Sequence, residues 1–250
     1  MCGPSLLGES AGDQFRLHPS VQTRRWVMRD IIWMSLAGGS PGVFFWNARG
    51  PEVREFRFAR EALEQLDLPT LRRAVPEIAI DVRHPIDDDK WYRTPAGREA
   101  YAMMGRYAQH YLSQGVDFDF TLQPGRYRKV CRLERFEPAA GSARPMRTSP
   151  GWQLACLARD DGRALLAYVR NYAGSELWEC RMGRDPWRQY LRRRQAAPLQ
   201  VEIELPEGAY TLTLYDLDRQ EKTARPWPGR GVVDLGRTDH DFAMVVVKGK

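Results

Sequence analysis

Leu6-Leu7-Gly8-Glu9-Ser10-Ala11-Gly12 sets one carboxylate directly after a short apolar run and surrounds it with glycine, serine and alanine. An apolar run ending at a small-residue turn reads as a buried parallel strand reaching the rim of a sheet, where α/β enzymes hold their chemistry. Glu9 then stands at the C-terminal end of a strand. Taken alone, the string is better read as a solvated residue in a frayed N-terminus, because glycine-rich turns are common and first residues are often disordered. Its meaning therefore depends on the neighbouring segments of the chain.

Between Pro19 and Leu36, Val21, Arg25, Met28, Ile32 and Leu36 recur at helical spacing, with Trp26 and Trp33 on flanking positions. This predicts an amphipathic helix across roughly Pro19 to Ala37. Gly38-Gly39-Ser40-Pro41-Gly42 ends it, and Val43-Phe44-Phe45-Trp46 comes next as a short run of β-formers. A second helical pattern runs through Phe58, Ala62, Leu63 and Leu66 and closes before Pro69. The opening segment thus reads strand, helix, strand, helix, the unit from which parallel sheets and barrels are built.

A second α/β unit begins at Glu77-Ile78-Ala79-Ile80-Asp81-Val82, a short strand, and passes through a polar loop with Asp87-Asp88-Asp89. Three aspartates raise calcium, but the ligand spacing and glycine of an EF-hand loop are missing, so a solvated loop is the better reading. Thr94-Pro95 then supplies a cap and a first-turn proline. Tyr101, Met104, Ala108, Tyr111 and Leu112 mark the buried face of a helix from Pro95 to Ser113, which ends at Gly115. Val116 to Phe120 alternates as a strand. The stretch 124–150, rich in Pro, Gly, Arg and Ser, reads as a connection of low regularity. Beyond it, Trp152 to Arg159 and Ala164 to Tyr172 form a hairpin about Asp160-Asp161-Gly162. Val201–Leu205, Tyr210–Tyr215, Gly231–Leu235 and Phe242–Val247 are further strands. With a helical pattern only around Trp187 to Arg194, this part reads as an antiparallel sandwich.

Composition bounds the function classes. The 250 residues are 43% hydrophobic and 28% charged, enough to bury a full core in one large or two smaller domains. No apolar run approaches the ~20 residues that span a bilayer, and the N-terminus lacks a signal peptide's basic segment and apolar core. A membrane partner is not expected. The chain reads as soluble, cytoplasmic or secreted with its signal lost upstream. The four cysteines, Cys2, Cys131, Cys156 and Cys180, show no metal-ligand spacing, so no metal and no cofactor are expected and buried thiols are the default. A net charge of +6 raises nucleic acid as a partner. Its clusters, Arg24-Arg25, Arg126-Tyr127-Arg128-Lys129 and Arg192-Arg193-Arg194, are separated by acidic or apolar segments, which favours solvated arginine-rich faces instead.

These pieces carry a resemblance. "GPSLLGESAG" followed by "RRWVMRDIIWMSLAGGSPGVFFWN" resembles the seventh and eighth strands of the (β/α)8 barrel of clan-A retaining glycoside hydrolases, the group with many β-galactosidases, mannanases and cellulases. "EIAIDVRHPIDDDKWYRTPAGREAYAMMGRYAQHYLSQGVDFDF" is similar to the first part of the flavodoxin-like trimerisation domain that comes after the barrel in β-galactosidases of this kind. "LPEGAYTLTLYDLDRQ" through "DFAMVVVKGK" is similar to the small β-sandwich that closes them. The implied fold is α/β followed by all-β: the last two βα units of the barrel over 1–72, a partial flavodoxin-like unit over 73–123, a linker over 124–150 and an antiparallel β-sandwich over 151–250.

The resemblance implies that Glu9 is the catalytic nucleophile and that Trp46 and Asn47 bind substrate. Trp46 would offer a flat ring to the apolar face of a pyranose; a core tryptophan in the barrel wall is an equal reading. A retaining mechanism needs a second carboxyl about 5 to 5.5 Å from the first, to protonate the leaving oxygen and then activate water. In the family that acid/base residue lies on strand four, and nothing upstream of Glu9 here can be strand four. The expectation is therefore a C-terminal fragment of a glycosidase for β-linked sugars, inactive alone, with a carbohydrate as its partner. A non-catalytic carbohydrate-binding or assembly module is the alternative, and homo-oligomerisation is left open.

Overall fold

The computed structural model describes residues 21–38, 54–66, 71, 76–83, 94–114, 116–141, 145–171, 176–182, 185–191 and 195–249. The first elements described are two helices, α1 (Val21–Ala37) and α2 (Arg54–Glu64). A βαβ unit is next: β1 (Ile78–Asp81), α3 (Pro95–Ser113) and β2 (Phe118–Thr121). The remaining strands are β3 (Lys129–Arg132), β4 (Met146–Thr148), β5 (Trp152–Ala158), β6 (Ala164–Asn171), β7 (Glu176–Met182), β8 (Asp185–Leu191), β9 (Ala197–Glu204), β10 (Tyr210–Asp216), β11 (Glu221–Trp227), β12 (Arg230–Thr238) and β13 (Phe242–Lys248). The chain is mixed α/β and then antiparallel β. Among the described residues no helix is long and apolar enough to cross a membrane.

The C-terminal part has three layers. A five-stranded sheet in the order β11-β10-β13-β6-β5 faces a three-stranded sheet in the order β12-β9-β4. Between them lies a core of Trp152, Leu154, Leu165, Val169, Val201, Ile203, Leu212, Met244 and Val246. Helices α1 and α2 cover the opposite face of the larger sheet, where Met28, Ile32, Trp33, Leu36, Phe58 and Ala62 meet Leu157, Leu166, Tyr168, Tyr215, Ala243 and Val245. Successive residues of a strand point to opposite faces. In β6, Leu165, Ala167 and Val169 therefore enter the core between the sheets, while Leu166 and Tyr168 enter the core under the helices. A strand covered on both faces reads as an unbroken apolar run, as "FAMVVV" of β13 does. By contrast β9, with the three-stranded sheet's outer face in solvent, alternates buried and exposed residues over most of its length.

The βαβ unit is parallel, with β1 in the middle of the order β2-β1-β3 and its register running from Ile78↔Phe118 to Asp81↔Thr121. Ile78, Ile80 and Val82 pack with Tyr107, Tyr111, Val116 and Cys131, and Met104 and Phe118 lean on this cluster. Strand, helix and strand thus share a small core as expected, except that Tyr107 enters it and the expected Ala108 does not. Helix α3 also lies against β5, so it closes one edge of the five-stranded sheet while serving its own unit.

Helix α1 is described over Val21–Ala37, within the expected range, and α3 spans the expected Pro95 to Ser113. Trp33, expected to flank the apolar stripe, is fully buried in it. The stretch 124–150, expected to lack regular structure, supplies β3 to the parallel sheet and β4 to the sandwich. The segment around Trp187 carries strand β8, antiparallel to β7, rather than a helix. Strand β11 escapes the periodicity reading because six of its seven residues are exposed.

Two glycines give a test of this backbone. Gly229 has φ +92, and a Cβ there would meet the Pro206 carbonyl oxygen at 2.4 Å; Gly236 has φ +67 with nothing within 4 Å. Both substitutions force a side chain into the left-handed region, but only the first adds a backbone clash. Gly229→Ala is expected to cost about 2 to 4 kcal/mol and Gly236→Ala about 1 kcal/mol, read as shifts in urea unfolding midpoint. Equal shifts would refute the close approach at Pro206.

Candidate functional site

The residues singled out from the sequence, Glu9, Trp46 and Asn47, lie outside the described residues. What the structure does build is the seat of α1, the helix between them, and that seat is unusually polar. Arg29 sits in the buried stripe of α1 at 0% exposure. Its Nε donates to Glu55 of α2 at 2.9 Å, and its Nη2 donates to the same carboxylate at 3.3 Å and to the Leu217 carbonyl at 2.7 Å. Its Nη1 donates to Asp218 at 2.9 Å and to Asp241 at 3.1 Å. All five N–H groups of the guanidinium are thereby used.

Burial works against the charge on Arg29, yet Asp241, Asp218 and Glu55 outweigh it and hold its pKa above the ordinary arginine value. The carboxylates are fixed in turn. Asp241 accepts the backbone N–H of Asn171 at 2.9 Å, and Asp218 accepts the backbone N–H of Asp241 at 2.8 Å. The next residue of α1 repeats the device with opposite sign. Asp30 accepts from the Tyr168 hydroxyl at 2.5 Å and pairs with Arg170 at 2.9 Å. Saturated and sealed, Arg29 has no donor left for a substrate, so its chemistry is to hold α1 and α2 onto the loops after β10 and before β13.

Beside this network lies a pair with the form of an acid/base couple. His240 Nδ1 is 2.8 Å from Asp216 Oδ2, while Asp216 Oδ1 accepts the backbone N–H groups of Asp218 and Arg219 at 3.0 and 2.9 Å. A carboxylate on Nδ1 fixes the ring's orientation, and Nε2 lies 3.8 Å from Asp239 Oδ1. Both side chains are partly exposed. Among the described residues no three His, Cys, Asp or Glu are placed to hold a metal ion.

A third polar group lies at the carboxyl end of β1, the central strand of the parallel sheet. Ligands of open α/β sheets bind beyond such ends. Here the guanidinium of Arg83 clasps Asp81 at 2.8 Å, and this hydrogen bond, ahead of the nearby charge of Arg132, holds the Asp81 carboxyl below the ordinary range. A carboxylate held in this way stays ionised and is unsuited to donate a proton.

None of these groups is marked by a motif in the sequence. For Arg29 a signal exists: an arginine between Met28 and Ile32 on an apolar helix stripe must find carboxylates when buried. Its partners lie 26, 189 and 212 residues away, which no local pattern reveals.

No protein-family model matches the chain, and no curated protein does. Among solved structures the chain is similar to alpha-L-fucosidase isoenzyme 2 from Paenibacillus thiaminolyticus, at 12% identity and a TM-score of 0.26, over 42% of this chain and 16% of that one. The chain thus spans about a sixth of that protein, and a likeness of this size carries no argument about activity.

Removing the guanidinium would leave three carboxylates facing one another in a sealed space. Arg29→Met is expected to destabilise the fold by about 3 to 5 kcal/mol in urea unfolding, as breaking a buried charged network does. A loss below ~1 kcal/mol would mean the network is not sealed from water. A pH effect arises from His110 on α3, whose ring packs edge-on against Phe136 and Tyr111 at centroid distances of 5.6 and 5.1 Å. Burial holds its pKa below the ordinary value. The folded state then binds fewer protons than the unfolded chain, so stability falls as pH drops through the usual histidine range near ~6.5. In His110→Phe the loss of stability between about pH 7 and pH 5 should be smaller than in the parent; an unchanged slope would remove His110 as a source.

Proposed function

We propose that this chain is the C-terminal part of a retaining glycoside hydrolase acting on β-linked sugars, with Glu9 as nucleophile and Trp46 and Asn47 against the sugar ring. The observation that carries the reading is the order of the described elements. Two helices bracket the β-forming run Val43–Trp46, a parallel βαβ unit is next, and an antiparallel sandwich comes last. This is the succession that the resemblance to barrel end, partial flavodoxin-like unit and closing sandwich implies. Barrel, β-galactosidase-like chemistry and sugar class belong to this proposal.

In the mechanism, the carboxylate of Glu9 attacks the anomeric carbon while a second carboxyl, contributed from outside these 250 residues, protonates the departing oxygen. Water activated by the same acid/base group then releases the sugar from Glu9 with retained configuration. Without the second carboxyl the first step stalls, since positioned proton transfer contributes about 10²- to 10⁴-fold. Barrel walls would add more by orienting the sugar and excluding water.

The test uses aryl β-glycosides with the 250-residue chain and with a longer chain extended upstream to a full barrel. Turnover is expected only in the extended form, and Glu9→Gln should abolish it while circular dichroism stays unchanged. Retaining hydrolysis by the shorter chain, lost in Glu9→Gln, would overturn the missing acid/base group. Full activity of the extended variant would remove Glu9 from the mechanism. Binding of a β-glycan, insensitive to salt and without turnover in either form, would favour the binding-module alternative; a steep linear log–log salt dependence on an oligonucleotide would favour neither.

A further inference from the structure

We propose that the free edge of the five-stranded sheet, strand β11, is a self-pairing surface through which two copies of this chain join their sheets. The inference stands on β11 alone and does not rest on the glycosidase reading.

Strand β11 ends the order β11-β10-β13-β6-β5 and, among the described residues, pairs on one side only, with β10, from Tyr210↔Trp227 to Asp216↔Glu221. Residues 221–226 are all exposed, and only Trp227 is buried. Exposure on both faces means that the helices on one side and the three-stranded sheet on the other stop short of this strand. Such an edge presents a row of unpaired N–H and C=O groups, which is a template for another strand.

The sequence of the edge selects its partner. Trp227 lies in the core between the sheets, so Arg225, Thr223 and Glu221 share that face; Lys222 reaches Glu61 of α2 at 2.7 Å, so Lys222, Ala224 and Pro226 share the other. Proline has no N–H, and inside a sheet it is tolerated where its nitrogen turns away from the ladder. Pro226, opposite Thr211, therefore marks its own parity as outward, and the peptide groups of Lys222 and Ala224 turn outward with it.

A second β11 laid antiparallel about Thr223 puts Lys222 opposite Ala224 of the other copy, where the two residues exchange both backbone bonds. Glu221 then falls opposite Arg225 twice, in pairs without backbone bonds, whose side chains approach most closely. The Arg225 guanidinium, 5.4 Å above the Trp227 ring, is on the exposed part of the strand and keeps its charge available. Shifting the centre by one residue loses both Glu221–Arg225 pairs, and shifting it by two sets Arg225 against Arg225 or Glu221 against Glu221, which like-charge repulsion disfavours. With Lys222 already paired inside its own chain, the edge offers one acid and one base, complementary to itself. The two-fold axis runs perpendicular to the sheet, so the helical layers of both copies stay on one side.

So short a contact makes a weak dimer, with a dissociation constant on the order of 10⁻⁴ M. Sedimentation equilibrium of the 250-residue chain up to millimolar concentration reads it directly. Glu221→Arg and Arg225→Glu should each weaken association about tenfold or more, because each creates two like-charge pairs. The combined variant should return to within a few-fold of the parent. Both residues are exposed, and circular dichroism checks that the fold is kept. A monomer at every concentration overturns the proposal. So does a dimer whose strength ignores both single substitutions, or a combined variant that stays as weak as the singles.

Discussion

A single guanidinium, that of Arg29, ties together four parts of the chain that are distant in sequence. Its five donors reach α2 through Glu55, the turn after β10 through Leu217 and Asp218, and the approach to β13 through Asp241. Stripping water from an arginine and from carboxylates costs several kcal/mol per ion, and attraction between them repays that only where every donor and acceptor is met. Saturation is therefore what makes the cluster tolerable. Its contribution is to geometry more than to net stability: apolar surfaces slide, whereas five directed bonds fix how α1 and α2 lie on the sheet. Once they lie there, Trp33 stacks on Tyr168 at 6.5 Å and Phe58 meets Tyr215 at 5.2 Å, and the outer face of β6, β10 and β13 is closed to water.

Gln65, just past the end of α2, extends this anchoring to β10. Its carbonyl accepts from Thr213 at 3.0 Å and its amide donates to the Tyr215 hydroxyl, both on that strand. With Lys222 to Glu61, the same helix touches two neighbouring strands by polar side chains at its C-terminal end, while its N-terminal end is held by Glu55 and Arg29. The helix is pinned at both ends and apolar in the middle, the pattern that lets a short element hold one orientation. A helix of eleven residues would be marginal by itself, so its order comes from this sheet.

How much of this the sequence announces depends on whether the cause is local. Helices α1 and α3 show their spacing because one stripe of each meets a core, and β9 alternates because one face meets water. Strand β13 reveals itself as an apolar run, although which layers cover it is not written there. Strand β3, "KVCR", has a single fully buried residue, Cys131, and β4 has three residues in all, so neither rises above its Pro, Gly and Arg surroundings. Both exist because a partner strand lies alongside. The Arg29 network is likewise made by residues brought together from opposite ends of the chain. The catalytic reading of Glu9 and the sugar contacts of Trp46 and Asn47 come from a resemblance, and the described geometry bears on the helix between them rather than on the residues themselves.

The parallel unit explains why one edge of the large sheet is closed. Parallel strands need a crossover, normally of a dozen residues or more. From β2 to β3 the chain returns through a short turn at Pro124–Arg126, which suffices because these strands have only four residues each. That connection carries only a three-residue 3-10 turn, and among the described residues α3 is the helix that packs on Ile78, Ile80 and Val82. It does so with Tyr107 and Tyr111, whose rings stack at 6.2 Å and whose hydroxyls donate to the Arg132, Arg135 and Ala139 carbonyls. Those bonds strap the segment after β3 beneath the helix, and burial with the neighbouring Cys131 thiol raises the pKa of Tyr111, so its hydroxyl stays protonated as a donor. Held in this way, α3 also lies along β5 and shields that edge of the five-stranded sheet. At the other edge, among the described residues, α2 reaches β11 through Lys222, and the core between the sheets reaches it at Trp227. Among the described residues the two edges therefore differ: β5 lies against α3, while the side chains of residues 221–226 of β11 stand in solvent.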